Sequence, residues 1–173
     1  MREYPKSLSV VEMMKLGKVI LKKTSTVIYI YQFDLEHMEW TTVPCDVEFL
    51  IDAEPFASGG FRNAFKAKSL TKGYTSLTWV VKRYLDKALQ DIQDTEQTPE
   101  EHTRKVIQGH TLAFNFGRQL RERVIQEQVD GEYGQVLEYR KIFMGKTDID
   151  EFVTVEEYIE GAFVKYINNK GQL

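Results

Sequence analysis

The chain has 173 residues, 42% hydrophobic and 28% charged, enough for one globular domain with a proper core. Its formal net charge of −3 argues against a nucleic-acid binder or an anionic-membrane binder, either of which would carry a basic face. Cys45 is the single cysteine, which excludes an internal disulfide framework or a thiolate metal site and fits a reducing, cytoplasmic setting. The N-terminus lacks the apolar run and cleavage site of a secretory signal, and no stretch has the length to cross a bilayer.

Ser9 and Glu12 have the spacing of a capping box, so a short helix is predicted there, stopped by Gly17. Residues 27–33 (VIYIYQF) are β-branched and aromatic and read as a strand. Residues 46–51 and 63–67 read as strands on either side of a glycine turn. Residues 77–84 (LTWVVKRY) form another, with Trp79, Val81 and Arg83 on one face and Val80, Lys82 and Tyr84 on the other. Residues 91–97 are polar and read as a linker. Thr98, Pro99 and Glu101 then make a helix start, with cap, first-turn proline and box-closing acid in place. Val106, Ala113, Phe114, Leu120 and Val124 recur at helical spacing, which predicts a long helix with one buried face, ended by Asp130 and Gly131. Phe114 and Phe116 read as core. Residues 136–144 and 152–159 read as two further strands, the second broken at Glu160 and Gly161. The order predicts an α+β fold: an antiparallel sheet with one long helix packed on one face. Residues 1–25 form an N-terminal helix and linker, and 26–173 the domain proper.

Three segments carry chemistry. In PFASGGFR (55–62), Gly59 and Gly60 let main-chain amides approach an anion, and Arg62 adds a forked cation; a plain hairpin turn would look the same. In WVVKRY (79–84), Lys82 sits inside an apolar strand, where an ammonium needs a partner, unless it snorkels to solvent. A strand lysine one strand after a glycine loop is the arrangement protein kinases use on phosphate oxygens. VEEYIEGAFVKY (155–166) is a strand ending at a glycine turn, suited to a hinge whose main chain meets a base edge; an edge strand with solvated Glu157 and Glu160 is the plainer account. His37, His102 and His110 have no metal-ligand spacing, and His110 reads as a packing residue on the long helix. Glu122 and Glu127 are candidate partners of Lys82, with nothing to select between them.

Together, and in this order, the segments resemble the alpha-kinase family of atypical serine/threonine protein kinases, over residues 26–173. FASGGFR resembles its phosphate loop, WVVKRY its lysine strand, and EYIEGAFVKY followed by Asn168 and Asn169 its hinge signature. Ile167 stands where many members have a further asparagine. The resemblance implies that Gly59, Gly60, Arg62 and Lys82 meet ATP phosphates, while the main chain at Glu156 and Ile159 meets adenine. It implies the N-terminal lobe through the hinge. The family's second lobe, with the catalytic aspartate, Mg²⁺ ligands, structural zinc site and second glycine-rich loop, does not follow within this sequence. No catalytic or metal-binding residue is therefore assigned, and this polypeptide alone is expected to bind ATP weakly and transfer no phosphate. With the domain complete, the implied activity is transfer of the γ-phosphate to a protein substrate. The rival readings are a non-catalytic kinase-like scaffold or decoy, and an unrelated α+β ligand-binding domain with a parallel sheet.

Overall fold

β-branched and aromatic residues recur along the first third of the chain, and the computed structural model, which describes residues 24–134, 136–162 and 164, turns them into strands. The helix predicted between Ser9 and Gly17 lies outside the described residues. The strands are β1 (Thr24–Tyr31), β2 (Phe33–Asp34), β3 (Glu39–Trp40), β4 (Cys45–Ile51), β5 (Ala57–Ser58), β6 (Arg62–Ser69), β7 (Thr78–Tyr84), β8 (Ile142–Thr147) and β9 (Phe152–Glu157). Between β7 and β8 come the helices α1 (Asp86–Asp94), α2 (Pro99–Gln126) and α3 (Asp130–Tyr133).

The main sheet runs β4-β1-β8-β9-β7-β6-β5, and β4 also pairs with β6. That extra pairing, Phe49 opposite Ser69 and Ile51 opposite Ala67, closes β4, β1, β8, β9, β7 and β6 into a barrel. The expectation of an antiparallel sheet holds, since every pairing among the described residues is antiparallel. The long helix packs on its outer face at β8 and β9, but the sheet is closed, which the expectation did not include. Closure satisfies strand edges that an open sheet leaves bare, and it moves the main core to the interior.

Alternation along the strands then builds two apolar layers. Inside lie Ile28, Ile30, Val47, Phe49, Ala67, Trp79, Val81, Val153 and Val155. Phe49 meets Trp79 edge-on, with ring centroids 6.3 Å apart. Arg83 also points inward, but at the rim, where it lies over Phe65 and pairs with Glu151 at 3.4 Å. Burial raises the Glu151 carboxyl above the usual carboxylate value, and the Arg83 charge opposes the shift. The outer layer consists of Val80, Tyr84, Met144 and Thr154, all buried, on the side where α2 packs against β8 and β9.

Helix α2 starts where the sequence places it. Thr98 Oγ1 accepts from the Glu101 amide at 3.1 Å, and Glu101 Oε2 accepts from the Thr98 amide at 2.8 Å. It ends at Gln126, short of Asp130. Its buried side chains are Thr103, Ile107 and Val124, whereas Phe116 and Leu120 are 62% and 48% exposed, so Phe116 is not core. The reason is length. A 28-residue helix runs roughly 42 Å, more than the barrel supports. Its second half faces residues 136–141, which were expected to be strand. There Tyr139 crowds Gly117, Arg121 pairs with Glu138, and His110 Nε2 donates to the Arg140 carbonyl at 2.6 Å. These contacts hold the segment against the helix, and β8 begins only at Ile142. Residues 91–94 of the expected linker belong to α1, because Ala88 and Ile92, four apart, bury against Tyr84.

At Gly145, on the inner face of β8, a Cβ would come within 2.5 Å of Ile28 Cγ2 and 2.9 Å of Val153 Cγ2. Gly145→Ala should therefore overpack the barrel and lower stability by about 1–3 kcal/mol. A urea-unfolding curve for the variant with an unchanged midpoint would show that the interior has slack at this point.

Candidate functional site

The hairpin between β5 and β6 holds the glycine pair. Ala57 lies opposite Ala64 and Ser58 opposite Asn63, and the Gly59 amide donates to the Arg62 carbonyl at 2.9 Å. Neither Gly59 nor Gly60 has positive φ, and a Cβ on Gly60 would meet nothing within 4 Å. The fold itself therefore makes no demand for glycine at 60. What glycine provides there is open access to the main chain.

Residues directly opposite in an antiparallel ladder share a face. Arg62 faces Tyr84, Ala64 faces Lys82, and Lys82 faces Thr154, with Glu156 two residues further along β9. All stand on the outer face, so the loop arginine and the strand lysine share one side of the sheet. Ala64, the smallest of them, leaves room beside the lysine.

The polar atoms on this face are linked. Lys82 Nζ donates to Glu156 Oε2 at 2.7 Å. Thr154 Oγ1 donates to the other carboxylate oxygen at 3.3 Å and accepts from Arg62 Nη1 at 3.4 Å. Arg62 Nη2 donates to the Tyr84 hydroxyl, with the guanidinium carbon 4.3 Å from the Tyr84 ring centroid. Arg62 and Lys82 are thus two cations held on one path of hydrogen bonds, each with donors to spare. At 35% exposure for the Lys82 side chain and 22% for Glu156, the pair is neither free in water nor sealed.

The partner of Lys82 is thus Glu156, not Glu122 or Glu127. Those two lie on and just beyond the far end of α2, paired with Arg118 and Arg123. Sequence reasoning assigned Glu156 a main-chain role and missed its carboxylate. It placed Tyr84 on the face of Lys82 without giving it a role, and it missed Thr154 altogether. The period-2 rule could have found Thr154 and the Glu156 carboxylate, because Thr154 and Glu156 share the parity that faces Lys82 once β9 is set beside β7. Ile159 lies beyond the end of β9 with its side chain 64% exposed. Tyr158 continues the ladder, donating its amide to the Thr78 carbonyl at 2.9 Å. Its ring meets Phe56 edge-on, and the Lys66 ammonium lies 4.2 Å from its centroid.

The loop also touches α2. Phe61 stacks on His102, with centroids 5.6 Å apart, and His102 Nδ1 is 2.9 Å from the Tyr84 hydroxyl. Burial holds the His102 imidazole below its ordinary value, and the charges of Arg62 and Lys105 push the same way.

The Alpha-kinase family model matches residues 57–173, the span that contains all of these groups but Phe56. The chain belongs to the alpha-kinase family. Solved structures agree in fold. The alpha-kinase domain of myosin-II heavy chain kinase A in complex with AMP-PNP is similar over 89% of this chain and 69% of its own, with 15% identity and a TM-score of 0.67. The ADP complex of the same kinase domain gives 15% identity and a TM-score of 0.64, over 89% of this chain and 68% of its own. An alpha kinase from Entamoeba histolytica is 18% identical with a TM-score of 0.60, over 88% of this chain and 61% of its own. No curated protein matches the chain. Among the described residues no helix is long and apolar enough to cross a membrane, and no group of three or more His, Cys, Asp or Glu could hold a metal ion.

The unfolded chain takes up a proton on His102 at a higher pH than the folded alpha-kinase fold does. In that interval the unfolded state binds more protons, so stability falls as pH is lowered. Denaturant midpoints measured from about pH 8 to about pH 5 should drop less in His102→Gln than in the parent. Parallel slopes would show that His102 titrates alike in both states.

Proposed function

We propose that this chain is the ATP-binding portion of an alpha-type protein serine/threonine kinase, which transfers the γ-phosphate to protein substrates when the domain is complete. The observation that carries the reading is the shared face: Arg62 and Lys82 stand on one side of the sheet, joined through Thr154 and Glu156. In this arrangement the phosphates lie along Gly59, Gly60, Arg62 and Lys82, and the base lies against the main chain at Glu156 and Ile159. The nucleotide complexes of myosin heavy chain kinase A domains support the choice of ligand.

The chemistry of the donor set suits a polyphosphate. Phosphoryl transfer depends on positioning and on electrostatic stabilisation of oxygens that carry the moving charge. The Arg62 guanidinium offers a planar fork, and the Lys82 ammonium offers a compact charge with further protons free after its bond to Glu156. Glu156 fixes the lysine's direction beforehand, so little ordering remains when phosphate arrives. Mg²⁺, bound with the nucleotide, would neutralise charge on the phosphates; the residues of this site supply cations and hydrogen-bond donors. The acid that orients the protein hydroxyl is assigned to no residue of this chain.

Lys82→Ala should weaken ATP binding about tenfold or more in a calorimetric titration, since it removes a hydrogen bond between charged groups. Equal affinity in parent and variant would reject the site. Gly60→Ala separates access from folding. The variant should be as stable as the parent or up to about 1 kcal/mol more stable, because alanine restricts the unfolded chain, while its ATP affinity falls. Unchanged affinity would detach Gly60 from the phosphate path.

A further inference from the structure

We infer that Tyr84 is a positioning residue for Arg62: the first turns of α2 aim the loop arginine through the tyrosine hydroxyl. The inference rests on the nucleotide reading above and adds to it the part of the fold that sets the arginine's direction.

Proton counting fixes the direction of the chain of bonds. Thr103 is fully buried, and its hydroxyl donates to the Pro99 carbonyl at 2.6 Å. That uses the single threonine proton. In the 2.9 Å contact between Thr103 Oγ1 and the Tyr84 hydroxyl, the tyrosine must therefore be the donor. Its own proton is then committed, so the Tyr84 oxygen accepts both from Arg62 Nη2 and from His102 Nδ1. The chain runs one way, from Arg62 and His102 through Tyr84 and Thr103 to the main chain of α2, and it leaves no donor facing a donor. It also assigns His102 the tautomer with its proton on Nδ1.

The anchor is firm at its far end. Pro99 and Thr103 belong to the capped first turns of α2, and the Tyr84 ring is buried against Ala88 and Ile92 of α1. Phe61, next to Arg62 in the loop, meets the Tyr84 ring edge-on with centroids 6.3 Å apart. Arg62 thus has a rigid ring beneath its guanidinium and a fixed oxygen beside it, and the donors left over are turned the way those two contacts dictate. A bound phosphate would meet an arginine already oriented; without the hydroxyl only the ring and the 3.4 Å bond to Thr154 hold the side chain, and more of its ordering is left to the phosphate.

The test compares ATP with adenosine, which lacks the phosphates, by titration calorimetry on the parent, Tyr84→Phe, Arg62→Ala and the double variant. Tyr84→Phe keeps the ring and removes only the oxygen. It should weaken ATP about three- to tenfold, the size of one ordinary hydrogen bond, and leave adenosine unchanged. In the Arg62→Ala background it should cost nothing more, because the two changes then act through one group. If Arg62→Ala loses ATP affinity while Tyr84→Phe keeps the parent's ratio of ATP to adenosine, Tyr84 serves only the core, and the inference falls while the nucleotide reading stands. Additive losses would likewise overturn it. If Arg62→Ala itself binds ATP as the parent does, both readings fall. Should Tyr84→Phe not fold, Thr103→Val takes its place. It must shift the same ratio in the same direction, and an unchanged ratio overturns the inference.

Discussion

Closure of the barrel is the constraint on which the rest depends. Once β4 pairs with both β1 and β6, each strand of the barrel has one face in a sealed apolar interior and one face outside. A charged side chain in the middle of β7 then has one tolerable direction. Lys82 points outward because its neighbours Val81 and Arg83 point inward, Val81 to the core and Arg83 only to the rim. The same parity places Arg62, Thr154 and Glu156 beside it. The site is, in this sense, what remains on the outer wall after the interior has been filled.

Helix α2 completes that wall unevenly. Its first half buries Thr103 and Ile107 and touches the loop through His102, so it is both cover and structural support for the arginine. Its second half leaves the barrel and carries Phe116, Leu120 and Ile125 in the open. One helix therefore joins a stretch tightly determined by packing to a stretch held by a few contacts with residues 136–141.

Much of this was legible beforehand, for identifiable reasons. Strands with clean alternation, such as 77–84, were read with their correct faces, because period 2 is imposed by the pleat whatever the partner strand. The start of α2 was read from Thr98 and Glu101 because capping is a local hydrogen-bond exchange. What escaped depends on distant partners. Residues 136–141 are apolar and aromatic enough for a strand, yet their contacts go to α2. Phe116 has the spacing of a core residue but sits past the end of its support. The closed barrel requires β4 to pair with β6 as well as with β1, and no local pattern encodes that. Glu156 was selected by resemblance for its main chain, while the use of its carboxylate appears only when β9 is laid beside β7.

The ladder between β7 and β9 has a consequence for how such a sequence can change over time. Trp79 to Arg83 are matched one for one with Glu157 to Val153. A one-residue slip of 153–157 along β7 would turn Thr154 and Glu156 into the interior and bring Val153 and Val155 out to the lysine. The tight turn after β8, where Asp150 adopts positive φ in solvent, lies outside the matched pairs but holds Glu151 against Arg83. The five matched pairs must therefore keep their count for the lysine to keep its partners.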